Sequence, residues 1–117
     1  MKMNLTQHKA TPEQECLPRT DEQADRIRSL LTFESIPTLA EITQRANALA
    51  EIAENAGADE AMIGGAPYLV LALDPALRMK GIQPLYAFSK RISEDVKMSD
   101  GSIEKKSIFK HLGFVRF

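Results

Sequence analysis

Hydrophobic positions along the chain change period twice. Between residues 20 and 57 they recur every three or four residues: Ala24, Ile27, Leu30 and Leu31, then Leu39, Ile42, Ala46, Leu49, Ala53 and Ala56. That spacing draws one apolar stripe along a helix, so two helices are expected here. Their starts are marked chemically. Thr20-Asp21-Glu22-Gln23 and Thr38-Leu39-Ala40-Glu41 each set a threonine cap three residues before a Gln or Glu that can return the hydrogen bond. Gly57 stands where a helix ends in the left-handed conformation. Thr11-Pro12-Glu13-Gln14 repeats the cap with Pro at the first helical position, and Leu17-Pro18 closes that short turn.

Outside this stretch the apolar runs are short. Met1–Thr6 reads as a first strand, ended by the polar pair Gln7–His8. Glu60–Ile63 runs into Gly64-Gly65, and Pro84–Phe88 is a third strand. Between them, Ala66–Leu73 is apolar almost all round, which predicts a helix covered on more than one side. Pro75 lacks the N–H that the preceding turn needs, so Asp74-Pro75 is expected to kink or restart it, with a second piece ending at Lys80-Gly81. Strand, glycine turn, helix and strand predict a right-handed βαβ unit with parallel strands. The expected architecture is one α/β domain over residues 1–117. Its Rossmann-like, mostly parallel sheet has strands near 1–6, 60–64 and 83–89, extended by a 90–116 hairpin.

Asp100-Gly101 is a strong hairpin signal. As a two-residue turn it sets Met98 against Ile103, Lys97 against Glu104, Asp95 against Lys106 and Ile92 against Phe109. It also sets Lys90 against His111 and Arg91 against Lys110.

Composition narrows the function classes. A chain of 117 residues with 44% hydrophobic and 26% charged positions is expected to pack a core rather than stay disordered. Cys16 is the only cysteine, so no intrachain disulfide can form and a cysteine-based metal site lacks ligands. Its surroundings, Glu15-Cys16-Leu17-Pro18, fit an inert thiol. Neither metal nor cofactor is expected. No apolar stretch reaches the length of a membrane span and no signal-peptide pattern opens the chain, so a cytoplasmic protein away from membranes is expected. A net charge of −1 argues against a general binder of double-stranded DNA. The charge is nonetheless divided: residues 1–88 hold 8 basic and 12 acidic groups, residues 89–117 hold 7 and 4.

Lys90, Arg91, Lys110 and His111 gather at one end of the predicted hairpin, where like charges across a strand pair repel. Two explanations stand: carboxylates and solvent screen them, or a bound anion does. The glycine turn favours an anion. Ligands of parallel α/β sheets bind beyond the carboxyl ends of the strands. A helix starting there offers N–H groups and a positive dipole end. Pro67 has no N–H, so the donors would be Gly65, Ala66 and Tyr68, beside Gly64. A tight left-handed turn would also explain the two glycines. Gln7 and His8, at the end of the first strand, should share this edge with Ser89 and Arg91. A lone His can equally be structural. No Walker loop, dinucleotide fingerprint or Ser-His-Asp order is present.

The residues themselves carry a resemblance. Asn4-Leu5-Thr6-Gln7-His8 with Thr11-Pro12-Glu13-Gln14 resembles the opening of small stand-alone CRISPR-associated Rossmann-fold (CARF-like) proteins of the ring-nuclease type. Pro84–Arg91, Asp100-Gly101-Ser102 and Phe109-Lys110-His111 resemble them at the other end, so the likeness covers roughly the first and last quarters. Gly64-Gly65-Ala66 with Tyr68-Leu69 matches loosely in position. The resemblance implies a homodimer that binds cyclic oligoadenylate across its two-fold, as a sensor or as a metal-independent ring nuclease. It implies catalytic roles for His8, Ser89 and Lys90, and phosphate contacts for Arg91. The alternatives are a nucleotide-binding module without turnover, and a non-enzymatic interaction module of bacterial or phage origin docking through the 66–73 helix and the hairpin.

Overall fold

The computed structural model describes residues 1–117. In chain order the elements are β1 (Lys2–Asn4), a single 3-10 turn (Pro12–Gln14), α1 (Asp21–Leu31), α2 (Leu39–Asn55), β2 (Glu60–Ile63), α3 (Pro67–Met79), β3 (Gln83–Lys97) and β4 (Ile103–Val115). The strands form one mixed sheet in the order β1-β2-β3-β4. β1, β2 and β3 run parallel, and β4 returns antiparallel to β3. No helix is long and apolar enough to cross a membrane.

Local chemistry explains the helix starts. Thr20 Oγ1 accepts the Gln23 N–H at 3.1 Å, while the Gln23 side chain accepts the Thr20 N–H at 2.9 Å. Thr38 Oγ1 likewise accepts the Glu41 N–H at 3.2 Å. The Glu41 carboxylate does not return the bond as expected; Arg45, one turn on, draws it away at 3.2 Å. Gly57 leaves α2 at φ +74°, where a side chain would be strained.

The core lies between the sheet and the helices. Ile27, Leu49, Leu69, Leu73 and Leu77 are fully buried against Met3, Leu5, Ala61 and Ile63. α2 meets α3 with Ala46, Ala50 and Ala53, small residues that let the helix axes come close. On the opposite face Asn4, Met62 and Leu85 form one row across the strands. The irregular stretch after β1 is tied to the sheet by Lys2 Nζ, which donates to the Gln14 carbonyl at 2.8 Å.

Three expectations change. α3 is continuous through Pro75 rather than broken there. Leu71 and Pro75 both face solvent, so the Leu71 carbonyl that loses its partner can be hydrated. Pro75→Ala restores that bond and is expected to raise stability by roughly 1–2 kcal/mol, read as a higher urea midpoint. The cover of α3 is narrower than expected: it meets α2 and β3, but its outer side is bare, with Leu71 77% and Met79 90% exposed.

The third change is the hairpin register. The loop has three residues, Ser99-Asp100-Gly101, closed by Met98 N–H to Ser102 C=O at 2.7 Å and Gly101 N–H to Met98 C=O at 3.0 Å. A two-residue hairpin turn needs positive φ at both central positions (type I′) or at the first (type II′), and Asp100, the first, lacks it; only Gly101 (φ +88°) has it. Asp100 is held instead by accepting the Ser102 N–H at 2.9 Å. Each β4 partner therefore falls one residue earlier than predicted: Asp95 pairs with Lys105, Arg91 with Phe109, Lys90 with Lys110, and Ser89 with His111. A shift of one exchanges the faces of a strand, so this decides what each side chain meets. A register irregularity between Phe88 and Ser89 leaves Leu112 without a partner on β3.

Beyond that point β3 and β4 leave the body as an arm. The molecule measures 55 × 33 × 29 Å, and most arm residues are exposed on both faces.

Candidate ligand cleft at the strand ends

The stretch that follows β1 is fastened by two polar side chains, one buried and one half-buried. Asn4 is 1% exposed. Its Nδ2 donates to the His8 carbonyl at 2.7 Å, and its Oδ1 accepts the Thr6 N–H at 2.8 Å and the Thr6 hydroxyl at 2.6 Å. Arg19 reaches back from before α1. Its guanidinium donates to the carbonyls of Asn4 (3.1 Å), Thr6 (2.9 Å) and His8 (3.3 Å). Burial lowers the Arg19 pKa from its ordinary value. Buried polar groups are costly unless paired, and here each serves as a strut for backbone that no ladder satisfies.

Around this loop lies a cleft of about 470 Å³ lined by Thr6, His8, Lys9, Thr11 and Gln14 on one side and by Met62, Ile63, Gly64, Tyr86 and Ala87 on the other. A smaller hollow, about 180 Å³, adjoins it between Gln7, His8, Leu31, Gly64 and Gly65. Both open at the carboxyl ends of the parallel strands. The N–H groups of Gly65, Ala66 and Tyr68 meet no backbone acceptor. Gly65 (φ +110°) makes the turn into α3, with open space where a side chain would stand. Lys9 enters none of the ion pairs.

The strand ends thus bring Gln7, His8, Gly64 and Gly65 together as expected. Ser89, Lys90 and Arg91 do not line the cleft; β3 carries them past Ala87 onto the arm. Arg91 lies over the Phe109 ring, 4.9 Å from its centroid, instead of facing Lys110. Tyr68 packs edge-on against Phe33, with centroids 5.6 Å apart. His111 packs against Phe114 at 4.8 Å, and its buried Nδ1 has no partner. Glu13 answers part of the charge question. Its own backbone and the Thr11 hydroxyl hold its carboxyl below the usual range, and His111 and Lys110 add to this. Glu13 forms an ion pair with neither of them.

Two other clusters are paired within themselves. A larger hollow of about 650 Å³ lies between α1 and α2, but its cations are already paired, Arg28 with Asp25 and Arg45 with Glu41. Tyr86 donates to Asp74 Oδ2 at 2.5 Å, and Arg78 Nε donates to Asp74 Oδ1 at 2.7 Å. Burial, then the Asp74 bond, pushes the Tyr86 hydroxyl up to about 12. Burial also raises the Cys16 thiol. The sequence reading missed Asn4, Lys9 and Arg19. For Asn4 a signal existed, a polar residue inside an apolar strand; for Arg19 none did.

Residues 1–115 match the model of the Uncharacterized protein MJ1673 family. The chain belongs to that family. The match takes in the helical stretch 20–57 together with both ends, so helices, cleft and arm are parts of one MJ1673-family unit. No curated protein and no solved structure matches the chain.

Proposed function

We propose that this MJ1673-family domain binds a phosphate-bearing nucleotide in the cleft at the strand ends, in the manner of a Rossmann-like site. The observation that carries the reading is a convergence. Two cationic or ionisable side chains, His8 and Lys9, meet a glycine turn whose N–H groups lack backbone acceptors, at the edge where parallel sheets hold ligands. Cyclic oligoadenylate is the ligand suggested by the sequence resemblance, and metal-free cleavage the reaction. In such chemistry a ribose 2′-hydroxyl is held in line with the neighbouring phosphate while nearby cations stabilise the developing charge. His8 is the candidate in the cleft; Ser89 and Lys90 would have to approach from the base of the arm, and a second copy belongs to the reading.

The test is incubation with cyclic tetra- and hexa-adenylate, followed by chromatography for cleavage and calorimetry for binding. Lys9→Ala should weaken binding about tenfold, the worth of one charge-assisted phosphate contact, whereas Lys97→Ala at the arm tip should change it little. His8→Ala should slow cleavage more than it weakens binding. Affinity should fall as salt rises, because exposed charge contacts are screened. Equal losses at Lys9 and Lys97, or indifference to salt, would refute the site.

A second reading, an interaction module without turnover, is favoured by the arm itself. Its exposed strands offer contacts that the body does not use.

A further inference from the structure

We propose that the outer edge of β4 pairs antiparallel with the same edge of a second copy, about a two-fold axis at Ser107, joining the two sheets into one. The proposal rests on the reading above only for the presence of a second copy; it does not depend on any ligand.

β4 is the edge that the fold leaves open. At the opposite edge of the sheet, the Leu17 N–H closes on the Lys2 carbonyl at 2.7 Å. Residues 103–110 of β4 are exposed throughout. Met98 donates to Ser102 across the hairpin. Alternation along an antiparallel ladder then turns the N–H and C=O groups of Ile103, Lys105, Ser107, Phe109 and His111 outward. A row of unpaired backbone groups is a template for another strand. A two-stranded ribbon is also marginal alone in water, and this one leaves Ile103 68% and Phe109 70% exposed.

Charge selects the register. Within the chain Lys110 faces Lys90, and Glu104 faces Val96. Neither Lys110 nor Glu104 enters an ion pair. A two-fold perpendicular to the sheet keeps faces matched only when one residue lies opposite itself. Centring on Lys105, Lys106 or Lys110 sets lysine on lysine. Centring on Ile108 sets Lys106 on Lys110. Centring on Phe109 sets no charge on another. Centring on Ser107 sets Glu104 of each copy on Lys110 of the other, with no like pair. It also aligns Ser93, Ser107 and their two counterparts in a row of four small hydroxyls across the axis.

The second copy thus gives Lys110 and Glu104 the ion-pair partners that their own chain does not provide, since Glu13 acts on Lys110 without forming an ion pair with it. The lysines along this edge, which would deter an unmatched strand, become part of the selection: they repel other registers and admit this one.

The experiment uses the full chain at micromolar concentration in sedimentation velocity. The parent should sediment as twice its 13.0 kDa mass. Lys110→Glu, which meets Glu104 of the other copy twice, should raise the dimer dissociation constant at least tenfold. Its new carboxylate still faces Lys90, so the arm keeps its own pairing. The double variant Glu104→Lys/Lys110→Glu should restore the dimer. In a Cys16→Ser background, Ser107→Cys should form a disulfide-linked dimer on oxidation, whereas Phe109→Cys should not. A monomeric parent, a Lys110→Glu dimer as tight as the parent, no rescue by the double variant, or preferential linkage at Phe109 would overturn the proposal. Loss of nucleotide binding with the dimer intact would refute only the ligand reading, and a nucleotide-binding monomer would overturn this proposal and the second copy in that reading while leaving the cleft as the ligand site.

Discussion

Leu73→Ala should lower the unfolding free energy by about 3–5 kcal/mol, a large share of the roughly 5–15 kcal/mol that holds a domain of this size. Leu73 has no exposed surface and sits at the centre of the α3 face that meets the sheet, between Leu69 and Leu77. α3 packs against both α2 and β3, so the space left by the Leu73 side chain cannot close by one local movement. Urea denaturation should show an earlier midpoint with an unchanged slope. Leu71→Ala, two residues away on the solvent side, should cost less than about 1 kcal/mol because little surface leaves water there. Similar losses at both positions would mean that the exposed side of α3 is covered in solution.

The second large effect is expected at Asn4. Asn4→Ala removes the acceptor of the Thr6 N–H and a donor to the His8 carbonyl. Unpaired polar groups at a part-buried site cost about 1–3 kcal/mol, so a loss of about 2–3 kcal/mol is expected. Arg19→Met should destabilise by a similar mechanism. The two changes together should deviate from the sum of the single losses, because both side chains donate to the His8 carbonyl. If the cleft binds nucleotide, Asn4→Ala should also weaken binding although Asn4 does not line that cleft, because the loop carrying His8 and Lys9 loses its fastening. Strict additivity in the double variant would show that the two struts act independently.

The two predictions differ in how visible their residues are in sequence. Leu73 lies in an apolar run that any periodicity test marks as core. Asn4 is polar within a strand, which flags a buried hydrogen-bonded group but not its partners. Arg19 looks like any surface arginine between Pro18 and a helix cap. Its contacts span 11 to 15 residues of separation, and no local pattern encodes where a long side chain will fold back.

The candidate site was likewise readable only in part. Gln7, His8 and the two glycines end strands, and parallel strands bring their ends together, so their convergence follows from topology. Ser89–Arg91 seemed to belong with them because they too follow a strand. That inference failed because β3 does not stop: Gln83–Lys97 is one strand that runs off the body.

Residues acting on near neighbours were settled by the sequence alone. The threonine caps, the end of α2 at Gly57 and the existence of the first three strands depend on hydrogen bonds and periodicities spanning a few residues. The hairpin turn was local too, but two- and three-residue loops compete closely, and Asp100 bonding to Ser102 tipped the balance. What only the tertiary structure decided was placement. Ile92, Val96, Ile103, Ile108 and Phe109 are strand residues as apolar as those of the core, yet no layer of the fold lies over them. Burial is a property of what packs against a residue, and a strand's pattern cannot show whether anything does.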